Sequence, residues 1–242
     1  MKKVLSLAVV SLLLSGCATT NRPYDPADPY QNFNRASYAF NEHIDNYVLE
    51  PVANVYSKIM PWPAKDGVTN FFNNINEIPT IFNDLLQGNF YQATSDTWRL
   101  AVNSTLGIGG LFDVASHMSL QKNNEDFGLT LAKWGYTNSN YLVLPFLGPS
   151  TVRDTLGLPV NYVISIYPYI ETNTGFALYA TDVVNRRSNL LPYDSVLKQA
   201  FDPYVFVRDA YLQRRNKQIT QNNTGHPRND RVATMQTGMN PE

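Results

Sequence analysis

The stretch from Trp134 to Ile170 constrains the fold of this chain more than any other. It holds 37 residues but only two charged ones, the adjacent pair Arg153 and Asp154, and four prolines interrupt it. Because proline breaks a helix interior, the stretch cannot form one continuous membrane-spanning helix, and irregular backbone cannot face lipid tails directly. The stretch therefore forms either a buried core or a surface at a membrane–water boundary, where its tyrosines and tryptophan are favoured.

The N-terminus carries a signal for membrane targeting. Two lysines precede an apolar run over residues 4–14, which is shorter than the roughly 20 residues that a bilayer-spanning helix needs. The run ends in LSGC at 14–17, and this resembles the bacterial lipoprotein signal, in which the cysteine is acylated and begins the mature chain. Ala18, rather than aspartate, follows Cys17, and this usually directs a lipoprotein to the outer membrane. The alternative is an ordinary secretory signal with an incidental cysteine.

The composition excludes several classes of protein. Removal of residues 1–16 takes away two lysines, so the mature chain has 17 basic and 20 acidic residues. This slight negative excess predicts no nucleic-acid partner. Cys17 is the only cysteine, so a disulfide framework is excluded and folding rests on an apolar core or on lipid. Charged residues make up 16 % and aromatic residues 12 % of the chain. Compared with typical soluble domains, the chain therefore has few charged residues and many aromatic ones.

Apolar residues recur every three or four positions over most of the chain and predict an all-α domain. Asp28 and Asp202 each precede proline and are expected to cap a helix. The predicted helices are 28 to about 50, 68–75, 79–87, 90–106, 126–134, 173–191 and 202 onward, with one small hairpin in 137–146. The expected organisation is a signal peptide at 1–16, a lipidated tether at 17–27, a single helical domain at 28–220 and a disordered polar tail at 221–242.

No arrangement of residues predicts catalysis, a metal site or a cofactor. The three histidines (His43, His117, His226) are far apart, with no second histidine or cysteine at the spacing of metal ligands. The sequence has no G-x-S-x-G motif for a nucleophile. Gly107, Gly109 and Gly110 belong to a GIGG run that lacks the third glycine of a phosphate-binding loop. We interpret this run as a flexible joint between helices and expect that the protein is not an enzyme.

Four segments together resemble one family. They are DPYQNFNRASYAFN (28–41), NSTLGIGGLFDVAS (103–116), FGLTLAKWGYTNSNYLVLPFLGPSTVRDTLG (127–157) and DPYVFVRDAYLQRR (202–215). In this order and at this spacing they are similar to the MlaA/VacJ lipoproteins. Each motif alone is weak, whereas four in register with a lipoprotein signal are specific.

The resemblance implies a ring-shaped helical protein in the periplasmic leaflet of the outer membrane, bound to trimeric porins. Such proteins draw mislocalised phospholipids from the outer leaflet through an amphipathic channel and pass them to a soluble periplasmic carrier, MlaC. Two other classes of function stay open at this point. One is a structural lipoprotein that braces porins without moving lipid, and the other is an enzyme that cleaves lipids.

The low-charge stretch also supplies candidate channel residues. Turn-forming Gly135, Asn138, Asn140 and Gly148 predict a mobile hairpin over 135–148 at the channel mouth. Arg153 is a candidate contact for a lipid headgroup, because its guanidinium presents a fork of donors to phosphate. The alternative for Arg153 is a neutralising pair with the adjacent aspartate.

Overall fold

The structure, a computed structural model, describes residues 28–224. Within this range the chain is helical apart from one two-stranded hairpin, so the predicted all-α class is confirmed. The helices are α1 (Gln31–Ile44), α2 (Glu50–Ile59), α3 (Trp62–Leu86), α4 (Phe90–Thr105), α5 (Val114–His117), α6 (Phe127–Lys133), α7 (Val152–Ile164), α8 (Thr172–Leu190), α9 (Asp194–Gln199) and α10 (Pro203–Thr224). Cys17, the predicted signal peptide and the predicted tether lie outside the described residues.

The first predicted helix does not end near Pro51. A single π-helical segment, Asp45–Leu49, joins α1 to α2, and Pro51 falls in the first turn of α2. Proline is tolerated in a first turn, where its missing N–H would lack a helical partner in any case. The π segment shifts the hydrogen-bond pattern just before the proline. The helical path therefore continues to Ile59.

The helix predicted to begin at Pro79 is also different in the structure. Pro79 lies inside α3, which is 25 residues long. Side chains add hydrogen bonds to the turns around the proline, where the backbone lacks a donor. The Oγ1 of Thr80 donates to the carbonyl of Asn76 (2.9 Å), and the Nδ2 of Asn83 donates to the carbonyl of Pro79 (2.8 Å). The helix then ends as predicted, just before Gly88, whose φ is +73°.

The predicted hairpin is present, about four residues further along the chain. Strand β1 (Tyr141–Leu144) pairs antiparallel with β2 (Gly148–Thr151), with Tyr141 opposite Thr151 and Leu144 opposite Gly148. Phe146, in the turn between the strands, has φ +66°, and Gly148, the first residue of β2, has φ +81°. The glycine adopts this left-handed conformation without strain, whereas a phenylalanine rarely does.

Two asparagines of α1 fasten β1 to the helical domain. Asn34 accepts from the amide of Val143 (2.8 Å) and donates to the carbonyl of Tyr141 (3.1 Å). Two helical turns further along α1, Asn41 donates to the carbonyl of Leu144 (2.9 Å) and accepts from the amide of Phe146 (2.7 Å). The two side chains supply the hydrogen bonds that a third strand would give to this edge.

The last helix extends beyond the predicted end of the domain at residue 220. It continues to Thr224, and Asn222 within this extension is part of the packed structure. The Nδ2 of Asn222 donates to Gln87 Oε1 (3.1 Å) and to Glu125 Oε2 (2.9 Å), and its carbonyl accepts from Lys133 Nζ (2.8 Å). The first residues of the predicted tail are therefore helical, and residues 225–242 lie outside the described range.

The interior of the domain is mainly polar. Among residues 28–224, twenty-two buried residues are polar or charged and nine are apolar. Helix α8 shows the pattern, because Asp182, Asn185 and Ser188 are buried at intervals of three while Phe176 and Tyr179 on the same helix are exposed by 73 % and 48 %. The amphipathic helices therefore turn their polar faces inward, the reverse of a soluble protein.

The exterior is correspondingly apolar. Thirty-six large apolar side chains are exposed among the described residues, and these include all three tryptophans, Trp62, Trp98 and Trp134. Exposed apolar side chains in this number are typical of proteins that contact a membrane or a partner. In the described part of the chain, no helix combines the length and the apolar character that crossing a bilayer requires.

Candidate functional site

A polar cavity of about 750 Å³ lies among the helices. Its walls come from α3, the loop between α5 and α6, α7, α8 and α10. Five basic side chains line it: Lys122, Arg186, Arg214, Arg215 and Lys217. The acidic lining residues are Glu125 and Asp126. The excess of positive charge makes the cavity suitable for an anionic group such as a phosphate.

Arg215 joins three elements at the wall of this cavity. Its Nη1 lies 2.6 Å from Asp126 Oδ2, and its Nη2 lies 2.7 Å from Asp154 Oδ1. Tyr211 donates to the other oxygen of Asp154 at 2.8 Å. Burial, the largest single effect, would raise the pKa of Asp154, but the charge and hydrogen bonds of Arg215, together with Arg153 and Tyr211, outweigh it and hold that pKa below its usual range. Since its two carboxylates come from separate segments, Arg215 ties α10 to the start of α6 and to α7.

The structure places Arg153 in an ion pair inside the protein. The side chain is 2 % exposed, and its Nε and Nη2 donate to Asp154 Oδ1 at 3.0 Å and 2.9 Å. Its Nη1 donates to the carbonyl of Thr137 at 3.1 Å. This is the neutralising pair that the sequence left as the alternative for Arg153, and it also holds the segment that leads into β1. The contact of Arg153 with a lipid headgroup stays a prediction.

A second cavity, of about 520 Å³, collects part of the predicted gating segment. Asn138, Asn140 and Arg153 all line it, and both asparagines are exposed. Gly135 has φ +113° and open space around the position of a Cβ atom, whereas Gly148 lies at the far end of the hairpin. The structure therefore brings three of the five predicted residues to one cavity. Movement of the segment stays a prediction.

The GIGG run forms a tightly packed turn between α4 and α5. A Cβ atom on Gly107 would lie 2.2 Å from the carbonyl oxygen of Phe112, and one on Gly110 would lie 2.6 Å from Asn74 Cβ. The amide of Gly110 donates to the carbonyl of Asn103 at 2.8 Å. Close packing against α3 and α4 explains the glycines at 107 and 110. The predicted flexibility of this joint, with Gly109, stays a prediction.

Sequence reasoning missed a group of buried carboxyl groups between α3 and α4. Burial raises the pKa of Glu77 to about 7 and that of Asp84 to about 9, and it also raises the pKa of Asp96. Arg99 pairs with Glu77 at 3.0 Å and with Asp113 at 3.2 Å. The sequence does contain a pattern that could have identified them, because these residues lie at helical spacing on the faces opposite the apolar stripes.

Lys122 projects from the loop between α5 and α6 to the same cavity wall as Asn73. Its Nζ lies 2.5 Å from Asn73 Oδ1. Burial lowers the pKa of Lys122, because the charged form loses hydration there. A bound anion would restore favourable interactions to this ammonium group.

A family model, related sequences and a solved structure each match most of this chain. The sequence model described as MlaA lipoprotein matches residues 26–218. The intermembrane phospholipid transport system lipoprotein MlaA of Shigella flexneri is 35 % identical over 214 residues, which cover 86 % of this chain and 85 % of that protein. An uncharacterised protein of Rickettsia typhi is 38 % identical over 195 residues, covering 79 % of this chain and 78 % of that protein. A solved structure, reported as the structural basis for maintenance of bacterial outer membrane lipid asymmetry, has a TM-score of 0.70 and 32 % identity, and the match covers 79 % of this chain and 98 % of that one.

Proposed function

Because this chain belongs to the MlaA lipoprotein family, we propose that it is the outer-membrane lipoprotein of an intermembrane phospholipid transport system. In this proposal it removes mislocalised phospholipids from the outer leaflet through an amphipathic channel and so maintains lipid asymmetry. Acylated Cys17 anchors it on the periplasmic side of the outer membrane. Its partners are a trimeric porin and a soluble periplasmic carrier similar to MlaC, and it performs no catalysis.

One observation carries this proposal, the reversed distribution of polar and apolar residues around a cationic cavity. The apolar exterior matches the acyl chains of a membrane leaflet. The cavity, with five basic side chains in its lining, is suited to a phosphate-bearing headgroup. A protein with a polar interior and an apolar exterior is suited to conduct a headgroup past a hydrocarbon layer, where an unpaired charge would be costly.

The test compares cells that lack the protein with cells that express variants of it. Asn76 lines the cavity from α3, and Asn76→Trp would narrow it. Tyr179→Trp, on the exposed face of α8, is the matched control. We expect outer-leaflet phospholipid to rise in the deletion strain and to return to normal with the wild type and the control. The narrowed variant, at equal abundance, should leave it high.

Two outcomes favour the other classes of function. Normal lipid asymmetry with Asn76→Trp would indicate a lipoprotein that braces porins without moving lipid. Lyso-lipid formed when the purified protein is incubated with phospholipid would indicate a hydrolase.

A further inference from the structure

The five basic residues of the cavity differ in how they are neutralised. Arg215 is paired with Asp126 and Asp154, and Arg186 is paired with Asp182 at 2.7 Å. By contrast, Lys122 contacts the uncharged amide of Asn73, and the guanidinium of Arg214 lies 5.9 Å from the centre of the Tyr211 ring. In the described part of the chain, neither Lys122 nor Arg214 forms an ion pair with a carboxylate, and the acidic group that acts most on Lys122 through its charge is Glu77, which is itself paired with Arg99.

The acidic residues of the cavity wall are already engaged. Asp126 accepts from Arg215 through both oxygens, at 2.6 Å and 2.9 Å, and from the amide of Leu129 at 2.9 Å. Glu125 accepts from Gln87 at 2.8 Å and from Asn222 at 2.9 Å. A positively charged headgroup in the cavity would have to compete with these donors for a carboxylate.

We propose that the cavity selects phospholipids with net negative headgroups over zwitterionic ones, with Lys122 and Arg214 as the residues that select. This inference rests on the proposed function. Both side chains attract phosphate, and both repel the ammonium group of a zwitterionic headgroup. Lys122 is half-buried, so salt screens its charge less than the charge of an exposed lysine.

The experiment places a photo-reactive amino acid at position 76, on the cavity wall, in the full lipidated chain. The protein is reconstituted in vesicles of equal phosphatidylglycerol and phosphatidylethanolamine, and the lipid adducts are identified by mass spectrometry. We expect adducts with phosphatidylglycerol to exceed those with phosphatidylethanolamine by about tenfold, the ratio that a modest difference in binding free energy produces.

The variants separate charge from shape. Lys122→Gln with Arg214→Gln should bring the adduct ratio down to that of the vesicle, because it removes the two unpaired charges. Lys122→Arg with Arg214→Lys should keep the preference. Lys58→Gln, which removes a charge from the exposed surface of α2, is the control and should also keep it.

Each remaining outcome is informative. A ratio equal to that of the vesicle in the wild type overturns the selectivity while leaving the proposed transport intact. Preference that survives in the double glutamine variant overturns the assignment to Lys122 and Arg214. The lack of any lipid adduct at position 76 would contradict the proposed function, and the selectivity with it.

Discussion

A Cβ atom on Gly157 in α7 would lie 2.8 Å from the backbone nitrogen of Gly128 in α6. The two helices therefore cross with their backbones in contact. On the other side of the same crossing, a Cβ atom on Gly128 would lie 2.3 Å from Asp154 Oδ1 and 2.9 Å from Arg215 Nη2. The absence of a side chain at 128 is what lets the Arg215 ion pairs form against the helix.

The substitution Gly128→Ala should destabilise the protein by about 3 kcal/mol, since the backbone or the ion pairs must shift to accommodate the methyl group. Gly67→Ala in α3 is the matched control, because its Cβ would be 3.6 Å from the nearest atom. Alanine is the better helix former, so the control should gain up to about 1 kcal/mol. Chemical denaturation in detergent measures both, and equal midpoints would contradict the packing argument.

The buried carboxyl group of Asp84 should make stability depend on pH. Burial raises its pKa from 3.8 to about 9, with a further contribution from Asp96. Between these values the folded protein keeps a proton that the unfolded chain has released, so stability falls as the pH rises. We expect the melting temperature to fall from about pH 5 to about pH 8, and to fall less in Asp84→Asn.

The control for this pH dependence is Asp66→Asn, on an exposed position of the same helix. It should keep the wild-type slope. A melting temperature that rises with pH over this range in the wild type, or an unchanged slope in Asp84→Asn, would contradict the assignment.

The segment before β1 is where we expect gating. Asn34 and Asn41 hold β1 itself, whereas the segment before it is held from one side, by hydrogen bonds from Arg153 to the carbonyl of Thr137 and to the hydroxyl of Ser139. Replacing Asn138 and Asn140 with proline fixes two φ angles near −65° and removes two donors. The double variant should fold and anchor normally, yet phospholipid should accumulate in the outer leaflet. Normal asymmetry at normal protein levels would show that the segment is a scaffold.

The C-terminal boundary can be tested with two truncations. Deletion of 225–242 should leave stability unchanged, because it removes none of the described contacts. Deletion of 221–242 also removes Asn222 and its bonds to Gln87 and Glu125, and should cost about 1–3 kcal/mol. Thermal unfolding of the two proteins distinguishes these cases. Equal stability of both would place the end of the folded domain at residue 220.

The anchor is predicted to depend on Cys17. We expect Cys17→Ala to lose incorporation of radioactive palmitate and to be released from the outer membrane. A single acyl chain binds membranes only marginally, whereas several anchor a protein stably. Cys17→Ser, which also lacks the thiol, should behave in the same way. Normal palmitate labelling of either variant would exclude the lipoprotein signal.

Two identical tripeptides show which part of helix capping can be predicted from the sequence. Asp28 and Asp202 each begin a DPY segment, a pattern that predicts a helix cap at both. Asp202 does so, since it accepts from the amide of Val205 at 3.3 Å. Asp28 does not, because its carboxylate is buried and accepts from Asn34 (2.9 Å) and from the hydroxyl of Tyr204, 176 residues away. A local pattern identifies the residue type that a cap needs, but distant partners decide which carboxylate serves as one.

The sequence pattern also does not predict which face of each helix is buried. The three-to-four spacing predicted the helices around Phe90–Thr105 and Thr172–Leu190 correctly. The same spacing marks a polar stripe and an apolar stripe on each helix, and the period does not state which one is buried. The solvent decides this, since apolar faces turn inward in water but not beside lipid. The low charge of 134–170 was the local hint, and its rings are indeed mostly exposed.

The polar interior also has a thermodynamic consequence. Exposure of apolar groups to water raises the heat capacity of unfolding, and exposure of polar groups lowers it. In a detergent micelle the apolar exterior is covered before and after unfolding, so the newly hydrated groups are largely the buried polar ones. The heat-capacity change should therefore be small for a chain of this length, and the curve of stability against temperature should be shallow. Such a protein loses little stability on cooling, and its enthalpy of unfolding changes little with temperature.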